Sequence, residues 1–331
     1  MGSKHKASDA RQDGRESPLP AAVLSRTLQV PFLPAKEANL LARSSTGHKL
    51  IVELGSRESL DPLLCGSKAA NLARLRRAGF PVPPGFVITT EARRTDPVPS
   101  AEIERAYRKI SLDKTKSAVR SSATAEDLPG LSFAGQYDSF LNISSLDELM
   151  AAIGRCRNSL NSERAQAYLR RSGLAPESAE MAVVVQQMIP ADVSGVIFTA
   201  NPLNGLRCQL LVNAVRGTGE AMVSGKTQPV QVVIEKSGLA TSAGQASLLS
   251  ARMEKDLAKT AVRIERFFGG PQDVEFAFAG DRLHVLQARP ATALPEPKLP
   301  YPVIWGNRTN RKILDRATIF WSNWNTRENM P

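Results

Sequence analysis

The stretch from Gln272 to Ala288 constrains the fold most. Gln272 to Phe278 and Arg282 to Ala288 are two β-rich runs on either side of Ala279-Gly280-Asp281, which predicts an antiparallel hairpin. A turn centred on Asp281 sets Glu275 opposite Gln287 and Asp273 opposite Arg289. Side chains alternate along strands, so all four then share one face. Val274, Phe276, Leu286 and Ala288 occupy the other face, which needs a core against it. A two-residue turn shifts this register by one and weakens the pairing. The polar face carries two carboxylates, an amide and a guanidinium. Such a set suits Mg²⁺ and phosphate, because Mg²⁺ takes oxygen ligands and shares phosphate oxygens. The plainer reading is a surface ion pair between Asp273 and Arg289, contributing about 0–1 kcal/mol.

Elsewhere strands and helices mix, so the expected class is α/β or α+β. Leu50-Ile51-Val52 reads as a short strand. Gly66-Ser67-Lys68 opens a helix that runs through Ala78 and is stopped by Gly79 and Pro81. Strands are expected at Phe86 to Thr89, Ser117 to Arg120, Met181 to Met188, Val193 to Thr199, Gln209 to Asn213 and Val230 to Glu235. Helices are expected at Glu102 to Ile110, Leu146 to Ile153, Ser162 to Arg171 and Met253 to Phe268. Residues 1–48 hold no sustained period and read as a loose lead-in, residues 49–292 as the folded domain, and the proline-rich residues 293–331 as a linker into a further region.

The formal charge of +11 raises the question of a polyanionic partner. The basic residues are scattered, and aromatics, at 5%, do not interleave with them, so phosphate-binding arginines on a solvated surface explain the charge better than a nucleic-acid interface. No apolar run is long enough for a bilayer, and the N-terminus lacks the apolar region of a secretory signal. Cys65, Cys156 and Cys208 stand far apart, which argues against a disulfide framework or zinc knuckle and for the reducing cytoplasm.

Three further segments suit anion or nucleotide binding. At Gly66-Ser67-Lys68, free amides at a helix start and a lysine one residue in form an anion site, although Ser67 as a cap with Lys68 in solvent fits equally simple rules. Arg120 ends a strand and is followed by Ser121, Ser122 and Thr124, donors for phosphate or caps for a helix, with Gly130 to Gly135 supplying flexibility. Gln186-Gln187-Met188-Ile189 ends a strand whose amides can read a base edge, or is an ordinary buried strand. His284 alternates along the second hairpin strand as a half-exposed structural histidine would.

Taken in order, C-G-S-K-A-A-N-L-A-R-L, A-G-F-P-V-P-P-G-F-V-I-T-T, V-R-S-S-A-T-A-E-D-L-P-G-L-S-F-A-G-Q, V-V-V-Q-Q-M-I-P-A-D-V-S-G-V-I-F-T-A-N-P, G-T-G-E-A-M-V-S-G, and G-G-P-Q-D-V-E-F with L-Q-A-R-P resemble the N-terminal ATP-binding domain of the phosphoenolpyruvate synthase, pyruvate phosphate dikinase and rifamycin phosphotransferase family. The resemblance runs from about residue 50 to residue 292. It implies an ATP-grasp fold of two lobes with ATP between them. It further implies that Lys68 and Arg120 contact phosphates and that Gly135 and Ser139 sit in the loop closing over the nucleotide. Gln186 and the backbone of Met188 and Ile189 are expected beside the adenine. Glu275 and Gln287 are expected to hold Mg²⁺ and the nucleotide, and Arg289 the transferring phosphate.

Two departures accompany the resemblance. The family's first loop reads G-G-K-G, whereas here Ser67 and Ala69 replace glycines, which restricts backbone approach to phosphate. The family passes phosphate from ATP to a histidine in a Gly-rich Ser-His motif on a separate domain, and no such motif is present. Trp321 to Asn329 resembles the start of the family's next region. The expectation is therefore a fragment, split subunit or truncated product whose relay histidine comes from a partner domain or chain. The alternative is a non-catalytic or decayed nucleotide-binding module.

Overall fold

The computed structural model describes residues 49–94, 100–111, 115–125, 139–171, 175, 179–219, 227–237, 240–241, 248–292 and 294–296. Two antiparallel sheets organise them. The first has five strands in the order β1-β2-β5-β3-β4: β1 (Ile51–Glu53), β2 (Gly85–Ile88), β3 (Ser117–Ala123), β4 (Ser139–Ile143) and β5 (Met181–Gln187). The second has six in the order β11-β10-β6-β7-β8-β9: β6 (Val193–Phe198), β7 (Gln209–Arg216), β8 (Val230–Glu235), β9 (Ala240–Thr241), β10 (Gln272–Ala279) and β11 (Arg282–Pro290). Since β5 and β6 lie in different sheets, residues 188–192 carry the chain from one to the other. The expected strands all form, and β4 and β9 are additions that sequence pattern alone does not reveal.

Five α-helices cover the sheets among the described residues: α1 (Pro62–Arg77), α2 (Ser100–Ile110), α3 (Leu146–Asn158), α4 (Glu163–Arg171) and α5 (Ala251–Phe268). Val119, Val183 and Val185 on one face of the first sheet pack with Ile103 and Tyr107 of α2 and Leu149 and Ile153 of α3. Val87, Ala182 and Val184 on its other face join Leu72 and Leu75 of α1 in a core that continues to Phe276 and Phe278 of β10 and Leu257 and Ile264 of α5. Covered on both faces, β5 is an unbroken run of buried residues from Met181 to Gln186. Among the described residues no helix is long and apolar enough to cross a membrane.

Helix α1 departs from the expected start. It opens four residues earlier, where the Asp61 side chain accepts from the Leu63 amide and Pro62 holds the first turn. The glycine expected to open it lies inside, in a non-helical conformation (φ 74°, ψ 162°) that splits the helix into two pieces. Its end is as expected. The Phe80 amide donates to the Leu75 carbonyl and the Gly79 amide to the Arg76 carbonyl, a Schellman closure with Gly79 at φ +79°.

Helix α5 is capped at both ends. Ser250 Oγ accepts from the Met253 amide at 3.2 Å, and Gly269 is left-handed at φ 77°. Ser250→Ala should therefore lower unfolding free energy by about 1 kcal/mol. A lower urea midpoint at unchanged slope would register it; an unmoved midpoint would show that the cap contributes nothing.

Candidate functional site

The hairpin of β10 and β11 forms with a different turn from the one expected. Ala279 pairs with Arg282, so Gly280 and Asp281 make a two-residue turn. Left regular, that turn sets Glu275 against Leu286. A β-bulge between Glu275 and Phe276 absorbs one residue of β11, so Glu275 faces Gln287 and Asp273 faces Arg289 after all. The extra residue is Leu286. It is only half buried, not part of the core face as expected, and its carbonyl is turned towards the first sheet.

Arg120, in the middle of β3, meets that carbonyl. Its Nη1 donates to Glu275 Oε2 at 3.1 Å and to the Leu286 carbonyl at 3.4 Å. The two sheets therefore touch through residues that the sequence assigned separately to phosphate and metal binding. Beside Arg120, Lys68 Nζ donates to the Ser121 carbonyl at 2.8 Å, and the Ala69 amide donates to Ser122 Oγ at 3.1 Å. Gly66 makes this approach possible, because a Cβ there would stand 2.1 Å from the Ser122 carbonyl oxygen. Ala69, one of the departures, is fully buried in the core, and Ser67 is half exposed.

At the far end of the hairpin face, Arg289 grips Asp273 through Nε at 2.8 Å and Nη2 at 2.6 Å, both to Oδ2. Burial pushes the Asp273 carboxyl above its ordinary value, and the neighbouring Arg289 only partly offsets this. Glu275 and Gln287 remain half exposed. A carboxylate and an amide oxygen directly opposite one another fit a hard cation that fills its remaining positions with phosphate and water. Among the described residues no three His, Cys, Asp or Glu side chains gather into a self-sufficient metal cage.

Gln186 lies on the same face of the first sheet as Arg120, since Ala118 pairs with Gln186 and Arg120 with Val184. It is buried and donates from Nε2 to the Pro83 carbonyl at 3.3 Å. The Met188 amide is committed to the Lys116 carbonyl at 2.8 Å. Met188 and Ile189 line a cleft of about 750 Å³ that also takes in Gln187, Ala279, Arg282 and His284. Ser139 is exposed at the start of β4, paired with Arg120. Gly135 lies outside the described residues. The structure thus brings Lys68, Arg120, Glu275, Gln287 and Arg289 to adjoining surfaces, with Met188 and Ile189 on the crossing between sheets. Sequence reasoning missed the bulge, which has no signature in residue type, and did not place His284 in the cleft with Met188 and Ile189.

The AMP/ATP-binding domain model of pyruvate phosphate dikinase matches residues 97–247 and 239–300. A probable phosphoenolpyruvate synthase of Methanocaldococcus jannaschii is 31% identical, over 76% of this chain and 27% of its own length. A rifampicin phosphotransferase of Streptomyces sviceus is 33% identical, over 74% of this chain and 36% of its own. The chain thus spans only about a quarter to a third of the length of these two relatives. Among solved structures, the D-alanine–D-alanine ligase of Coxiella burnetii aligns with a TM-score of 0.37 at 12% identity, over 68% of this chain and 47% of that one. The two sheets, each backed by helices, accord with the two-lobed ATP-grasp architecture that the resemblance implies. On the family match, with the motifs in order along the chain, this protein belongs to the pyruvate phosphate dikinase AMP/ATP-binding domain family.

Proposed function

We propose that the chain binds Mg–ATP between its two sheets and donates a phosphoryl group to a histidine on another domain or chain, as the nucleotide-binding part of a phosphoenolpyruvate synthase-like dikinase. The observation that carries this reading is the Arg120–Glu275 contact across the sheets, with Lys68 on one side and the Asp273–Arg289 pair on the other. Lys68 and Arg120 hold phosphate oxygens, Arg120 exchanging Glu275 for the nucleotide. Glu275 and Gln287 would hold Mg²⁺, which supplies charge neutralisation to the phosphates when bound. Arg289, kept in place by Asp273, faces the phosphoryl group that leaves. The bridging anhydride oxygen of the departing nucleotide takes the P–O electron pair as the acceptor nitrogen forms the new P–N bond. Catalysis of this kind is positioning plus electrostatics, which is what fixed cations supply. Gly135 and Ser139 belong to the segment that closes over the nucleotide, while Gln186 and the backbone at Met188 and Ile189 take the adenine. Cys65, Cys156 and Cys208 stand as thiols rather than disulfides, in keeping with the cytoplasm.

A second reading, a nucleotide-binding module without transfer, draws on the first loop. There both the Lys68 ammonium and the Ala69 amide are turned to β3. Calorimetry with Mg–ATP on the parent and on Lys68→Ala tests binding at this site. Removing the charge-assisted hydrogen bond from Lys68 to phosphate should weaken binding by about ten- to a hundredfold. Equal affinity in the two proteins would remove the lysine from the site. Phosphate appearing on a histidine domain from a relative, mixed with the parent, decides for transfer over the module without it.

A further inference from the structure

The polar face of the hairpin does not end at the metal-suited pair. Opposite residues share a face, and the register pairs Asp273 with Arg289, Glu275 with Gln287, and Ala277 with His284. His284 therefore continues the row that Arg289 and Gln287 begin. At about 3.3 Å per residue, it stands about 7 Å beyond Gln287 and about 13 Å beyond Arg289, measured along β10. It is half buried and lines the cleft of about 750 Å³ whose other wall is Met188 and Ile189.

The proposed nucleotide site fixes what reaches this level, and the inference rests on it. With the transferring group at Arg289 and phosphate oxygens at Glu275 and Gln287, a nucleotide laid along the face brings its ribose level with Ala277 and His284. We propose that His284 binds the ribose of the nucleotide, one ring nitrogen making a hydrogen bond to a hydroxyl of the vicinal pair. The surroundings suit that role. Burial and the adjacent Arg282 lower the imidazole below its ordinary value, so at neutral pH it offers one N–H and one bare nitrogen. The nearby charges at the cleft are Arg282 and the Arg252–Asp281 pair, separated by 3.7 Å and both largely exposed. They leave the imidazole as the half-buried polar group on the hairpin wall. A structural histidine at this strand position would show no dependence on ribose hydroxyls, and that difference is measurable.

The test is calorimetry of Mg–ATP and Mg–2′,3′-dideoxy-ATP with the full chain, His284→Ala and His284→Gln. The parent should prefer ATP by about five- to tenfold, as expected for one net hydrogen bond. His284→Ala should bind the two nucleotides equally, with dideoxy-ATP affinity as in the parent. His284→Gln, which keeps a donor and an acceptor, should restore part of the preference. If His284→Ala retains the parent's preference, or loses affinity for both nucleotides alike, the ribose role is wrong. A parent that binds Mg–ATP without preferring it over the dideoxy form overturns this inference alone. A parent that binds neither overturns the nucleotide-site reading beneath it.

Discussion

Gly66→Ala should destabilise the fold by about 4 kcal/mol or more and abolish Mg–ATP binding. Two costs combine. At φ 74° and ψ 162° the backbone lies in a region essentially reserved for glycine, which costs a side chain on the order of 1–3 kcal/mol. The added Cβ would also meet the Ser122 carbonyl oxygen at 2.1 Å and Ser122 Oγ at 2.4 Å. The carbonyl cannot withdraw cheaply, because Ser122 is held in β3 by its pairing with Ala182 of β5. The chain can relieve the clash only by lifting α1 from β3, which pulls Lys68 off the Ser121 carbonyl. Gly79→Ala is the control. Its φ of +79° is similar, but nothing lies within 4 Å of the new methyl, so about 1 kcal/mol is expected. Denaturation midpoints of the two variants separate collision from backbone strain. Equal losses would mean that the close approach at Gly66 is not real.

Arg289→Ala should lower phosphoryl transfer to a supplied histidine domain by about 10²–10³-fold while Mg–ATP affinity changes by less than about tenfold. The rate falls because a fixed guanidinium at the transferring group acts mainly where charge develops. The substitution has a structural side effect that must be separated from it. Asp273 is buried, and removing Arg289 strips its charge of the guanidinium beside it. A carboxyl already raised by burial meets that change by taking up a proton rather than by unfolding the hairpin. The sign follows from this. With the carboxyl raised in the folded state, Asp273 favours folding at pH below the ordinary carboxylate value, and this contribution is lost as pH rises through the raised one. The double variant Arg289→Ala with Asp273→Asn removes the stranded acid. Transfer should stay as low in it as in the single variant, even where stability recovers. Recovery of transfer in the double variant would show that Arg289 serves only to neutralise Asp273.

Much of this was legible in the chain, and the exceptions have physical reasons. The hairpin face was readable because alternation ties residue type to side. The pairing of Asp273 with Arg289 was reached by assuming a turn that the protein does not use. Gly280 supplies a two-residue turn at φ +55°, and the bulge at Leu286 returns the missing residue. Bulges depend on backbone conformation and leave no mark in polarity. Helix α1 was misplaced at its start because Gly66 was read as an opening signal. The Asp61-Pro62 cap carried that signal, and the glycine serves the close packing on β3. The strand at Ser139 escaped notice because an edge strand with exposed and half-buried residues has little pattern to show. Contacts between sheets, such as Arg120 with Glu275, join residues 155 positions apart and come from tertiary packing alone.

The outer side of β11 has a consequence for how another chain can reach this protein. It is the last strand of its sheet, and such strands ordinarily offer unpaired amides and carbonyls to any chain that comes alongside. Here the Val285 amide donates to the Pro81 carbonyl, the Leu286 carbonyl accepts from Arg120, and the Ala288 carbonyl accepts from Asn71 Nδ2. The first sheet and its helix have taken the place that an added strand would occupy. Strand addition, a common way for domains to join, is therefore closed along this border. On the proposed function, a histidine-bearing partner would present its loop to the mouth between the sheets, and the same border keeps the hairpin from templating aggregation.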